Sequence, residues 1–78
     1  MKKFYVTGMI RVVEQNKINE AVRYNDSGFD RIVYADNAEA AKEMVCDSVR
    51  ERRTKKNRVF RCLGHEFPSV EVFEKVDI

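Results

Sequence analysis

The sequence predicts an α+β domain: a small antiparallel sheet with one α-helix packed across it. Three observations predict it. Segments rich in β-branched and aromatic residues lie on both sides of one segment, 38–53, whose apolar residues recur at three-and-four spacing. That segment opens with acids and closes with bases, as the helix dipole favours. Turn residues separate the strand-type segments. The expected order is β-β-β-α-β-β within one domain, 1–78, with the second strand the least defined.

The elements follow in order. Residues 3–13 (KFYVTGMIRVV) carry apolar residues at both parities, which suits a central strand covered partly on both faces. Gly8 in its middle is a candidate bulge. Residues 14–17 (EQNK) are polar and turn-like. Residues 18–24 (INEAVRY) fit a strand face through Ile18, Val22 and Tyr24, and a short helix through Ile18, Ala21 and Val22. Asn25–Gly28 (NDSG) reads as a turn, and 29–35 (FDRIVYA) as a strand.

Asp36 is the expected helix cap, with Glu39 three residues on completing a capping box. Ala38, Ala41, Met44, Val45, Ser48 and Val49 form the apolar stripe, so Val45 and Val49 are expected to be buried. Glu39, Glu43, Asp47 and Arg50 lie opposite, and Cys46 falls near the solvent side. Residues 58–63 (RVFRCL) and 69–76 (SVEVFEKV) read as the last two strands, with 64–68 (GHEFP) as a loop between them.

Size and composition bound the function. A chain of 78 residues buries roughly 60–65% of its unfolded surface, so its core is thin. Charged residues make up 36%, well above the usual ~25%. No stretch approaches the ~20 apolar residues of a membrane span, and Arg11 interrupts the signal-like start, so the cytoplasm is the expected compartment. Cys46, Cys62 and His65 are three soft ligands at most, where a structural zinc site wants four. Neither a Gly-x-Ser-x-Gly elbow nor a phosphate loop occurs. The adjacent His65 and Glu66 are the one acid–base pair to test. The expectation is a non-enzymatic protein without metal or cofactor.

The charge is unevenly distributed. Arg50–Arg58 (RERRTKKNR) holds six of the 15 Lys and Arg residues and one acid, giving +5, while the net charge of +2 leaves −3 for the rest. Dipole complement needs about two bases, so the run is a candidate binding surface that steers an anionic partner. Its residues are Arg50, Arg52, Arg53, Lys55, Lys56 and Arg58. Helical period turns Arg52 towards the apolar stripe, where its stem can pack and its head reach water. The stripe Glu39, Glu43, Asp47 sets like charges at i, i+4, at a cost of ~0.2–0.5 kcal/mol per pair, and is a second candidate surface for a basic partner. Tyr5, Tyr34, Phe60 and Phe73 are expected mostly in the core, with base stacking as the alternative if they face out of the sheet. The sequence leaves a homodimer open.

Two families resemble this layout. Phe4, Val6 and Gly8 in FYVTG, followed by the 31–45 strand-to-helix junction (RIVYADNAEAAKEMV), the small residues Ala38, Ala40 and Ala41 and the basic stretch, resemble archaeal ribosomal protein LX. That resemblance implies ribosomal RNA binding by the basic run. In architecture the chain is also similar to small phage-encoded inhibitors, including anti-CRISPR proteins: very short, highly charged, one helix on a small sheet, no pocket. This resemblance implies stoichiometric docking on a host protein or nucleoprotein complex and carries no residue assignment. The expected function is therefore an inhibitor of that type, with an RNA- or DNA-binding module as the alternative.

Overall fold

Among the residues described, 1–54 and 57–76, the computed structural model of the chain builds four elements in the order β-β-α-β. They are β1 (Lys2–Asn16), β2 (Val22–Ala35), α1 (Ala38–Arg53) and β3 (Phe60–Lys75). The sheet is wholly antiparallel in the order β2-β1-β3, so the first strand is central, as its two-parity pattern predicts. The fold class agrees with expectation, but three long strands replace the five short ones. Both corrections have a physical cause.

The expected turn at Asn25–Gly28 lies inside β2. Its turn-forming side chains are engaged across the sheet: Arg11 Nε and a terminal nitrogen donate to the two Asp26 oxygens at 2.8 and 3.1 Å, and the Asn25 amide donates to Glu14. Cross-strand pairing has overridden local turn preference. The chain turns instead at residues 17–19. There the Asn16 carboxamide accepts from the backbone N–H groups of Ile18 and Asn19, and Glu20 takes a left-handed φ of 63°. Thus Glu14–Asn16 extend β1, and only Val22–Tyr24 of the 18–24 segment are strand.

The expected loop Gly64–Pro68 likewise lies inside β3. Met9 pairs with Ser69 and Arg11 with Glu66, so Phe67 and Pro68 together oppose Ile10. This bulge accommodates a proline that cannot donate to the ladder. A second register shift, where Val13 pairs with Gly64 and Glu14 with Cys62, leaves Leu63 as the extra residue. Gly8 stands beside the first bulge. A Cβ there would meet the Ser69 carbonyl oxygen at 2.2 Å, so only glycine lets the two strands approach this closely.

Helix α1 spans the expected residues 38–53, but its cap lies one residue later than expected. Asn37, not Asp36, is the cap, with extended φ and a side-chain oxygen accepting from the Ala40 N–H at 2.8 Å. The box between Asp36 and Glu39 is therefore not made, although Glu39 still lies in the first turn. Ala41, Val45 and Val49 are buried against Phe4, Val6, Ile10 and Ala35, with Phe29, Phe67, Val70 and Val72 packed around them, and Cys46 is buried beside that cluster's helix residues in sequence. Cys46 is 6% exposed and so corrects the expectation of a solvent-side thiol. The helix is rotated so that Cys46, rather than Met44 or Ser48, flanks the central Ala41–Val45–Val49 line. Burial pushes the Cys46 thiol above its ordinary pKa, which makes it a poor nucleophile.

Sixteen helical residues span about 24 Å, whereas the 15 residues of β1 span about 50 Å. The helix therefore covers about half of one sheet face. The opposite face carries no helix. Tyr5, Tyr34 and Phe73 lie on it, with Tyr34 and Phe73 roughly half exposed, which corrects their expected place in the core. Phe60 is half-buried on the helix side beneath Arg23, whose guanidinium carbon lies 3.4 Å from its ring centroid. Among the described residues, no helix is long and apolar enough to cross a membrane.

Candidate anion-binding groove

The basic run begins where α1 ends. Thr54 closes the helix twice, donating both its backbone N–H (3.0 Å) and its hydroxyl (2.8 Å) to the Arg50 carbonyl. The same hydroxyl oxygen lies 3.2 Å from His65 Nε2, which ties the helix end to β3. Beyond it, Asn57 folds the connection by accepting from the Val59 and Phe60 N–H groups, and Lys17 donates to the Asn57 carbonyl at 3.0 Å. These bonds tie the helix end to β3 and the following connection to the 17–19 turn.

A cleft of about 290 Å³ opens between the last helical turn and the edge strand β2, lined by Arg31, Arg52, Arg53, Val49 and Gly28–Asp30. Arg31 was not singled out from the sequence, yet it faces the same cleft as Arg52 and Arg53. Its signal was parity: it shares a strand face with Phe29 and Val33, which pack towards the helix. A charge among the helix-facing residues of an edge strand marks a groove wall. Among the described residues, none of the three guanidinium groups has a carboxylate partner. Asp30 lines the cleft too, but its carboxylate turns to the open sheet face, where Tyr5 donates to it at 3.4 Å. Arg31 donates instead to the Asp30 backbone carbonyl at 3.3 Å.

Arg53 also borders a second cleft, of about 220 Å³, with Arg23, Glu14, Asn25 and Asn57. There Arg23 is neutralised by Glu14 at 3.1 Å. The unbalanced positive charge is thus concentrated in the first cleft.

The other candidate residues are dispersed. Arg50 pairs with Asp47 at 2.8 Å and lies over the Phe67 ring, 5.0 Å from its centroid, so it is engaged on the β3 side. Arg58 is exposed at the bend before β3. Lys55 and Lys56 lie outside the described residues. Glu39 and Glu43 are exposed on the outer helix face, and the third member of that acidic stripe, Asp47, is the one held by Arg50.

His65 and Glu66 do not form an acid–base pair. Successive strand residues face opposite sides, and Glu66 approaches Arg11 at 3.8 Å while His65 meets Thr54. Cys62 Sγ lies 3.9 Å from His65 Nε2. The same thiol lies 3.8 Å from the Gly64 carbonyl oxygen. Among the described residues, no three His, Cys, Asp or Glu side chains stand close enough to hold a metal ion.

Comparison of the chain with protein-family models, with curated proteins and with solved structures finds no match.

Proposed function

We propose that this chain is a non-enzymatic binding protein that uses the Arg31–Arg52–Arg53 groove to dock on the phosphate backbone of a nucleic acid, free or within a nucleoprotein complex. The carrying observation is the convergence on one cleft of three guanidinium groups from two elements, none paired with a carboxylate among the described residues. Arginine suits the role, since its planar fork meets phosphate oxygens in pairs. A groove of this kind reads charge and backbone spacing rather than sequence. Stoichiometric inhibition of a host nucleoprotein complex in the cytoplasm, as by a phage-encoded anti-CRISPR protein, is the narrower form of this reading. It rests on likeness of architecture alone.

The test is fluorescence anisotropy with labelled RNA and DNA oligonucleotides at two salt concentrations. If three phosphates are neutralised on duplex DNA, a four-fold rise in salt lowers the binding constant roughly 40-fold. Replacing Arg31, Arg52 and Arg53 together by Gln removes most of that dependence. Absence of binding at low salt, or salt-dependent binding that the triple variant retains, sinks the assignment.

A further inference from the structure

The sheet face opposite the helix has a charge pattern that is its own complement. Cross-strand register places Lys3 between Tyr34 and Lys75, Tyr5 between Ile32 and Phe73, and Thr7 between Asp30 and Glu71. Three successive rows on this face therefore read +2, apolar, −2. Ile32 and Phe73 of the apolar row are exposed, at 57% and 48%, and the half-buried Tyr5 between them stacks on Phe73 at 6.3 Å between ring centroids. Among the described residues, Lys3, Lys75, Asp30 and Glu71 make no ion pair, and Lys75 rests over the Tyr5 ring at 5.5 Å. Two lysines as direct cross-strand neighbours are unfavourable within one chain.

We propose that this face binds a second copy of the chain, face to face, about a two-fold axis that crosses the strands at the level of Tyr5. Such an axis reverses strand direction and lays each strand over its own copy. Ile32, Tyr5 and Phe73 then meet their own copies. Lys75 faces Glu71 of the second copy, and Tyr34 faces Asp30 of the second copy. The last two contacts each occur twice and the three self-contacts lie on the axis, as an isologous interface requires. Sheets packed this way lie ~10 Å apart with strands within about 30° of alignment, a gap that paired aromatic and long charged side chains can fill.

Charge also selects the position of the axis. An axis at Met9 would overlap more of the face and would still set apolar Tyr5, Ile32 and Phe73 against Val13 and Tyr24. It would also lay the −2 row Asp30–Thr7–Glu71 over Asp26–Arg11–Glu66, still −1 although Arg11 pairs with both acids, and Lys75 over Arg61, and like charges brought together across an interface are unfavourable. The acids of the third row, two residues from the aromatic row, equally disfavour a phosphate backbone on this face. With the axis at Tyr5 the overlap covers roughly 400 Å² of sheet per partner, from ~3.4 Å per residue and ~4.8 Å between strands. That is about half of a standard stable interface. The dimer is accordingly weak and depends on protein concentration.

Sedimentation velocity across a dilution series from about 5 to about 500 µM tests this on the full chain. The parent chain should pass from monomer to dimer. Lys75→Glu and Glu71→Lys, each alone, set like charges opposite one another twice and should weaken self-association about ten-fold or more. Mixed in equal amounts, the two variants should recover parental association, because both contacts become attractive in the mixed dimer. Unchanged thermal melts of the variants would show that the effect lies at the interface. A chain that stays monomeric throughout overturns the proposal. So does an association that both reversals leave intact, or a mixture no tighter than the variants alone.

Discussion

The pair Arg11–Asp26 shows how much a single contact can redirect. Asp26 reads as a turn residue until its cross-strand partner is known, and Arg11, which interrupts an apolar run, is that partner. The hydrogen bonds from Arg11, with its positive charge, hold the Asp26 carboxylate below the ordinary aspartate pKa against a smaller opposing effect of desolvation. A carboxylate whose folded pKa is depressed contributes its stability above the unfolded value and loses it as pH falls through the folded one. Carboxyl carbon NMR should therefore place the Asp26 midpoint below the usual aspartate range in the parent. In Arg11→Met the midpoint should move up towards that range, and an unmoved midpoint would deny the coupling. The pair is exposed and open to screening, so this is a test of geometry rather than of a large stability term. Arg31 was hidden for the converse reason: its charge is ordinary, and only the parity of its neighbours in an edge strand reveals which wall it occupies.

Among the elements, the helix was the most legible, because its stripe and charge order are local properties of 16 residues. The strands were less so. Their existence followed from composition, but their ends depend on partners far along the chain, and NDSG and GHEFP look like turns until a neighbouring strand engages them. Local preference is worth a fraction of a kcal/mol per residue, and cross-strand pairing and burial outweigh it. The burial of Cys46 escaped for a similar reason, since it depends on how the helix is rotated against the sheet, whereas the cap passed to Asn37 because Asn and Asp serve equally there and adjacent candidates compete. Val45, 1% exposed at the centre of that contact, tests the element as a whole. A domain of 78 residues has about 4–12 kcal/mol of stability in total. Val45→Ala should lower it by roughly 1–3 kcal/mol and leave a cooperative transition. Val45→Asp buries an unpaired charge and should abolish the far-UV circular dichroism of the folded chain. A cooperative melt for Val45→Asp near that of the parent would mean that the helix face is wrongly assigned.

On the scale of the whole molecule, length separates two surfaces. The described chain measures 55 × 18 × 15 Å, with the basic groove on the helix side of β2 and the self-complementary rows on the reverse face near the start of β1. A face-to-face dimer would leave both helices, and so both grooves, on the outside. The two proposed functions should then come apart under mutation. The triple Arg31, Arg52, Arg53→Gln variant should lose oligonucleotide binding yet sediment as the parent does. Lys75→Glu should bind a short oligonucleotide as tightly as the parent, since that contact uses one groove. On a nucleic acid long enough to reach both grooves, the dimer gains from effective concentration, which can add about 10²–10⁴ in avidity when the geometry allows both sites to engage. Lys75→Glu should forfeit that gain, so its loss of affinity should grow with the length of the ligand. Equal losses on short and long ligands would mean that the reverse face itself touches nucleic acid, and equal retention on both would mean that the groove works in single copies.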